Sequence, residues 1–535
     1  MSAVLPAKAG LRLGERTLDV LVLAHRWIGT ALCLVFALWF ASGIVMMYAG
    51  YPVLGEGAKL ARTPSLDTAA VRLTPAEAYA QAGLGAHVEH VRLGMLLGRP
   101  TYFFVTNEGW FAVGADDGAR RPTVDAAAAQ RIAREFLGRE DEPRYEGLHE
   151  LPDQWTIYTS WAPYLPSHDF RSFQRLVFED GTEVSVLAAT GDVTQVTTRG
   201  DRVWGYLGAF IHWIYPTTFR TQHAEAWDRL IVWLSSFGTL VCVSGIVVGI
   251  WQFRWRREPG VAGSPFRGWL KWHHWIGLIF GALAGTWVFS GLMSMDPFSW
   301  STSDVSPNGT HSEVMAGGAL DLAAFTGSPA EAGAACRAQL DVKELRLVQL
   351  RGVPYYFCVE TPHRSALIAA VDGVNGAAVA RFPEALLLEA ARDIMPGVDV
   401  RESTLLDGYD AYYYPGWEDK LINDGAKRLP VLRIAFDDAA RTLVYVDPHS
   451  GAPVAAYDVN GRRLRWLYHG LHSLDFGWLY GARPLWDLLV LPLMLGGIAM
   501  SVTGTWIGWK WLRRKVRKPR PQRSRAPQAA MRASK

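Results

Sequence analysis

Cysteine is scarce and never clustered. There are four in 535 residues, with no C-x-x-C and no C-x-x-C-H, which excludes covalently attached c-type haem and the usual zinc patterns. A phosphate-cradling G-x-x-x-x-G-K and a dinucleotide-binding G-x-G-x-x-G are also missing, so the chain shows no site for nucleotide chemistry of its own. Charge is all but absent from four apolar runs, 25–48, 230–253, 273–295 and 486–509, each long enough to cross a hydrocarbon core of about 30 Å. The first run is too long for a cleaved signal peptide, and no small-residue cleavage site follows it.

What is abundant fits a bilayer. The 23 tryptophans exceed what a soluble chain of this size usually carries and suit helix ends anchored at lipid interfaces. Basic residues crowd three places: Lys8, Arg12, Arg16 and Arg26; Arg254, Arg256, Arg257, Arg267 and Lys271; and the tail from Lys510. Each cluster abuts an apolar run, so the reading is positive-inside orientation rather than nucleic-acid binding. The expected fold class is a membrane α-helical protein of four spans in two pseudo-two-fold-related halves, with two external α+β domains. The boundaries are a cytoplasmic N-terminus at 1–24, spans at the four runs, and external domains at 49–201 and 296–461. Pre-span segments lie at 202–229 and 462–485, a cytoplasmic linker at 254–272 and a basic cytoplasmic tail at 510–535.

The chain repeats itself. H-R-W-I-G (25–29) returns as H-H-W-I-G (273–277), an offset of 248 residues along which Trp39 meets Trp287 and Ser42-Gly43 meets Ser290-Gly291. I-H-W-I (211–214) answers L-H-S-L (471–474) at an offset of 260. Each external loop shows a helix followed by a hairpin: 74–83, 88–94 and 98–106 in the first, 329–340, 344–350 and 352–360 in the second. Cys33 and Cys242 fall within spans and read as small packing residues. Cys336 and Cys358 share the second external loop, and whether they pair stays open.

Ionisable residues in or beside a span are expensive and usually functional. His25 and His273 open spans one and three; His212 and His472 precede spans two and four. If equivalent residues face each other across an axis normal to the membrane, His25 pairs with His273 and His212 with His472. Two imidazoles facing across a bundle are what a six-coordinate b-type haem needs, and two haems would make an electron path through the bilayer. The plain alternative is interfacial anchoring by each histidine. His274 competes with His273, because neighbours on a helix point about 100° apart, and the repeat favours His273. His469 has three open roles: bonding a haem propionate, replacing His472, or polar surface. Trp227-Asp228 and Trp486-Asp487 read as helix starts. The Ser/Thr-Gly pairs at 42, 244, 290 and 503 allow either close helix approach or room for a flat macrocycle. An aromatic concentration (Trp155, Tyr158, Trp161, Tyr164; Tyr409, Tyr412, Tyr413, Tyr414, Trp417) either fills space at the membrane surface or receives a bulky ligand.

Taken together, H-R-W-I-G, H-H-W-I-G, Y-D-A-Y-Y-Y (409–414), L-P-V-L-R (429–433) and the basic final helix resemble the PepSY-associated transmembrane family over about residues 20 to 515. Members include inner-membrane ferric-siderophore reductases of Gram-negative bacteria that bind b haems through membrane histidines. The resemblance implies His25, His273, His212 and His472 as axial ligands of two b haems, and PepSY-like external domains in the periplasm. The leading expectation is an electron conduit with a cytoplasmic flavoprotein or membrane quinol as donor and a periplasmic ferric siderophore as acceptor. The first half departs from the pattern, with W-T-I-Y-T-S-W (155–161) where the second has Y-D-A-Y-Y-Y. A non-redox membrane-anchored binding or inhibitory module is the competing expectation. A small transporter is disfavoured because the spans lack buried acidic residues and broken helices, Pro492 apart.

Overall fold

The computed structural model describes residues 7–149, 172–254, 263–301, 310–372, 377–416 and 427–516. Four long helices, α1 (Ala7–Met46), α2 (Ala224–Gln252), α3 (Trp269–Ser294) and α4 (Leu485–Val516), cover the apolar runs to within two residues at their ends. The shortest, with 26 residues, extends about 39 Å at the usual rise, enough to span the hydrocarbon core. Leu34, Leu38, Phe237, Val247, Ile279, Leu488 and Val502 are exposed along these helices, the surface expected where lipid replaces water. Both α1 and α4 run past the apolar runs at their basic ends. Hydropathy registers only the segment suited to hydrocarbon, whereas Ala, Leu, Arg and Lys carry the helix on.

Fourteen strands among the described residues form three antiparallel sheets. The first half contributes β1 (Val88–Leu96), β2 (Arg99–Thr106), β3 (Gly109–Gly114), β4 (Arg144–His149), β5 (Phe173–Val177), β6 (Glu183–Leu187) and β7 (Val193–Thr197). The second contributes β8 (Glu344–Leu350), β9 (Val353–Thr361), β10 (Arg364–Ala369), β11 (Val400–Leu406), β12 (Val431–Phe436), β13 (Leu443–Val446) and β14 (Pro453–Tyr457). Strands β4 to β7 make one sheet, β11 to β14 a second, and the third runs β10-β9-β8-β1-β2-β3. The two hairpin modules therefore share a sheet, joined where Arg92 faces Arg346 and Leu93 faces Leu345.

That six-stranded sheet is covered on both faces. Leu93, Tyr102, Phe104, Leu345 and Tyr356 pack with Ala78 and Ala332 of the helices Pro75–Gln81 and Pro329–Arg337. Leu350, Phe357 and Leu367 pack with Leu387 of the helix Glu384–Arg392 and with Ile434 and Phe436 of β12. Full burial of a Leu, Ile or Phe side chain such as these contributes about 1.5–3 kcal/mol. The first helix starts on a reciprocal capping box between Thr74 and Glu77. A disulfide ties Cys336, on the helix Pro329–Arg337, to Cys358 on β9.

The chain divides into two compact units. One comprises residues 1–40, 236–285 and 495–535; the other comprises 41–235 and 286–494 and holds all three sheets. Each unit contains one of the histidine pairs.

Candidate functional site

In the helical unit, His25 of α1 and His273 of α3 have ring centroids 6.4 Å apart, their planes inclined by 44°. His25 Nδ1 lies 3.0 Å from the Val241 carbonyl oxygen of α2. His273 Nδ1 lies 3.2 Å from the Met500 carbonyl oxygen and 3.0 Å from Thr503 Oγ1 of α4. A carbonyl only accepts, so Nδ1 is the protonated nitrogen and donates. This tautomer leaves Nε2 as the basic nitrogen, the form in which histidine ligates metals.

In the sheet-bearing unit, His212 and His472 have ring centroids 6.0 Å apart at 71°. Each is carried on one turn of helix, Ile211–Trp213 and Leu471–Ser473, that follows a wide π-helical turn, Tyr206–Phe210 and Arg465–Gly470. Widened turns of this kind recur at functional sites. Both turns end in a left-handed residue, Ile214 and Leu474, each at φ 49°. That conformation is costly for any residue with a side chain, most of all for β-branched Ile214, and it is held by what packs on it. Trp227 Nε1 donates to the Ile214 carbonyl oxygen at 2.7 Å, and Trp486 Nε1 donates to the Ser473 carbonyl oxygen at 3.0 Å. These two tryptophans thus fasten the histidine turns to the starts of α2 and α4. Asp487, in the first turn of α4, accepts from Tyr48 and Arg483, while Asp228 sits beyond the first turn of α2.

The remaining candidates fall elsewhere. His274 is buried with both nitrogens engaged: Nε2 donates to the Gly249 carbonyl oxygen at 2.9 Å, and Nδ1 lies 2.9 Å from Ser264 Oγ. It braces α3 against α2 and the linker rather than facing His25. His469 lies in the π-helical turn beside Tyr468, whose ring also contacts His472. A widened turn removes the simple same-face relation expected for His469 and His472. Of the tyrosine run, Tyr413 and Tyr414 are interior. Tyr413 stacks on Tyr445 and donates to the Arg428 carbonyl oxygen, while Tyr414 donates to Asp475. Tyr409 is half-exposed and donates to the Lys427 carbonyl oxygen; Tyr412 packs on Tyr457 and Trp466. Trp155, Tyr158, Trp161 and Trp417 lie outside the described residues.

The residues that sequence reasoning left unassigned are Arg465 and Asp475, a buried pair at 2.9 Å flanking His472, with Tyr414 bonded to the same carboxylate. Their signal was a basic and an acidic residue ten positions apart around a histidine.

The donor set suits a metal that arrives with ligands of its own. Among the described residues no three His, Cys, Asp or Glu side chains converge as a metal site, whereas each pair offers two imidazoles. With metal–imidazole nitrogen distances of about 2.0–2.1 Å, two rings on opposite sides of one metal have centroids roughly 6.3–6.5 Å apart; His25 and His273 have that spacing, and His212 and His472, at 6.0 Å, stand slightly closer.

Four membrane helices and antiparallel α+β domains define a multi-span membrane protein with a substantial soluble part. The family described as the PepSY-associated TM region matches residues 22–514, and the chain belongs to that family. No curated protein matches the sequence.

Proposed function

We propose that this chain is a di-haem b electron-transfer protein of a bacterial inner membrane, reducing a periplasmic acceptor, first among them Fe(III) held by a siderophore. The observation that carries the reading is the pairing of four repeated histidines into two couples, each with one member from each half. Bound between them, b haem would supply a one-electron Fe(III)/Fe(II) couple with no open iron position. His25 with His273, and His212 with His472, would hold it; the acceptors at Nδ1 keep each ring oriented and Nε2 basic. The donor would be a cytoplasmic flavoprotein or a membrane quinol. Adding one electron to siderophore-bound Fe(III) gives Fe(II), a poorer match for hard oxygen ligands, and so favours release.

Both termini and the linker between α2 and α3 are assigned to the cytoplasm, and the halves to a pseudo-two-fold arrangement with PepSY-like domains in the periplasm. The basic clusters flanking the spans support this orientation. So does the Cys336–Cys358 disulfide, which belongs in an oxidising compartment.

The test is the visible spectrum of detergent-purified protein, oxidised and then dithionite-reduced, with pyridine-haemochrome quantification. Two b haems per chain, falling to one in His25→Ala and in His212→Ala, support the reading. A folded chain that stays colourless after haem supplementation overturns it in favour of the non-redox binding module.

A further inference from the structure

Each span carries one hydroxyl-glycine dipeptide, and each dipeptide meets one of the four histidines. His25 lies against Ser244-Gly245 of α2, where a Cβ added at Gly245 would stand 2.6 Å from His25 Cε1. His273 lies against Thr503-Gly504 of α4, with 3.3 Å from the corresponding Cβ to its Cε1. His212 meets Ser42-Gly43 of α1 at 3.5 Å, and His472 meets Ser290-Gly291 of α3 at 3.7 Å.

The hydroxyls follow the same rule. Ser244, Ser290 and Thr503 each donate to the carbonyl three residues back, Val241, Trp287 and Met500, at 3.1, 2.9 and 2.8 Å. With its proton spent on that carbonyl, a hydroxyl oxygen turns its lone pairs outward. Ser290 Oγ and Thr503 Oγ1 lie 3.0 Å from Nδ1 of His472 and His273, and Ser42 Oγ lies 3.2 Å from Nδ1 of His212. His25 Nδ1 instead reaches the carbonyl of Val241 that Ser244 also bonds. Small residues serving helix contact alone have no reason to aim a hydroxyl at an imidazole in three of the four spans.

We infer that these four dipeptides are positioning seats for the histidines: the glycine admits the ring edge, and the hydroxyl and its carbonyl fix the Nδ1–H tautomer. The inference rests on the haem reading above. It adds that the seats set ligand basicity, because a stronger acceptor at Nδ1 makes Nε2 a better donor and favours Fe(III).

The experiment compares wild type, Ser290→Ala, Ser290→Thr and Gly245→Ala for haem content and for the midpoint potential of each haem. Ser290→Ala is expected to keep two haems and raise one potential. A tenfold change in the ferrous-to-ferric preference corresponds to about 59 mV for one electron. Ser290→Thr, the chemistry of the sister seat at Thr503, restores the wild-type value. Gly245→Ala is expected to lose one haem while the other keeps its wild-type potential, which also shows that the chain has folded. Two haems with unchanged potentials in both Ser290→Ala and Gly245→Ala overturn the seats and leave the haem reading standing. A wild type without haem overturns that reading itself.

Discussion

His273 and His274 are neighbours in sequence with opposite surroundings. The first turns toward His25; the second is held between Gly249 and Ser264. Replacing His273 with alanine is expected to remove one haem per chain by pyridine-haemochrome assay. Replacing His274 is expected to keep both haems but lower stability by about 1–3 kcal/mol, the cost of leaving buried partners unsatisfied, read as a fall in thermal midpoint. The repeat made His273 the equivalent of His25, so that choice was legible. The bracing role of His274 was not, because both partners lie outside its own helix and a linear pattern cannot reveal tertiary acceptors. The seats show the intermediate case. Ser42, Ser244, Ser290 and Thr503 were visible as repeated small residues, yet only the fold shows which histidine each one meets.

At the level of elements, the two histidine turns share a π-helical turn and a left-handed end but differ beneath. Arg465 and Asp475 form a buried pair from either side of His472 in sequence, with Arg465 also over the Tyr414 ring at 4.4 Å. The positions matching them in the first half are Gly205 and Tyr215, and Tyr215 is buried among Tyr51, Trp213 and Trp227. One turn is thus fixed by an ion pair and the other by aromatic packing. Arg465→Met strands Asp475 and is expected to cost about 3–5 kcal/mol. Its haem loss should be confined to the His212–His472 site, read as one remaining haem with its wild-type potential. Nothing in the sequence announced the π-helical turns, since one extra residue in a short apolar helix leaves the periodicity nearly unchanged. Within the Y-D-A-Y-Y-Y run, the Tyr413 and Tyr414 hydroxyls bond in the interior, Tyr414 to Asp475 beside the turn that carries His472.

Across the whole molecule, the join between the halves is both polar and buried. Lys59 and Arg92 pair with Asp192, Arg92 also with Glu344 at 3.3 Å, and Arg346 with Glu344 and Glu56 at 3.1 and 2.6 Å. Burial alone would raise the Asp192 and Glu344 carboxyls, but Arg92 in both cases, then Lys59 or Arg346, holds them below the ordinary carboxylate range. A depressed folded value stabilises above the unfolded pKa of about 4, and that stability drains away as pH falls through and below it. The thermal midpoint should therefore begin to drop below about pH 5 and fall most steeply below the unfolded carboxylate value of about 4, with a shallower drop in Asp192→Asn. Equal slopes would show that the network is not the titrating element. Reducing the Cys336–Cys358 bridge should cost about 2–4 kcal/mol and lower the melting temperature of the sheets while leaving haem content unchanged. The spans and the helix-hairpin order were legible from hydropathy and alternation. The shared sheet was not, because backbone hydrogen bonds between β1 and β8 carry no side-chain signature.

The shared sheet also imposes a timetable on synthesis. Leu93 and Leu345 face each other across the join, and at roughly 5–20 residues per second the ribosome needs about 10–50 s to pass from one to the other. Through that interval the outer flank of β1 is a row of unpaired amides and carbonyls, the surface on which nascent chains aggregate. A chain that stops before β8 keeps the flank open for good, so prematurely terminated products should be the ones that cells clear by proteolysis.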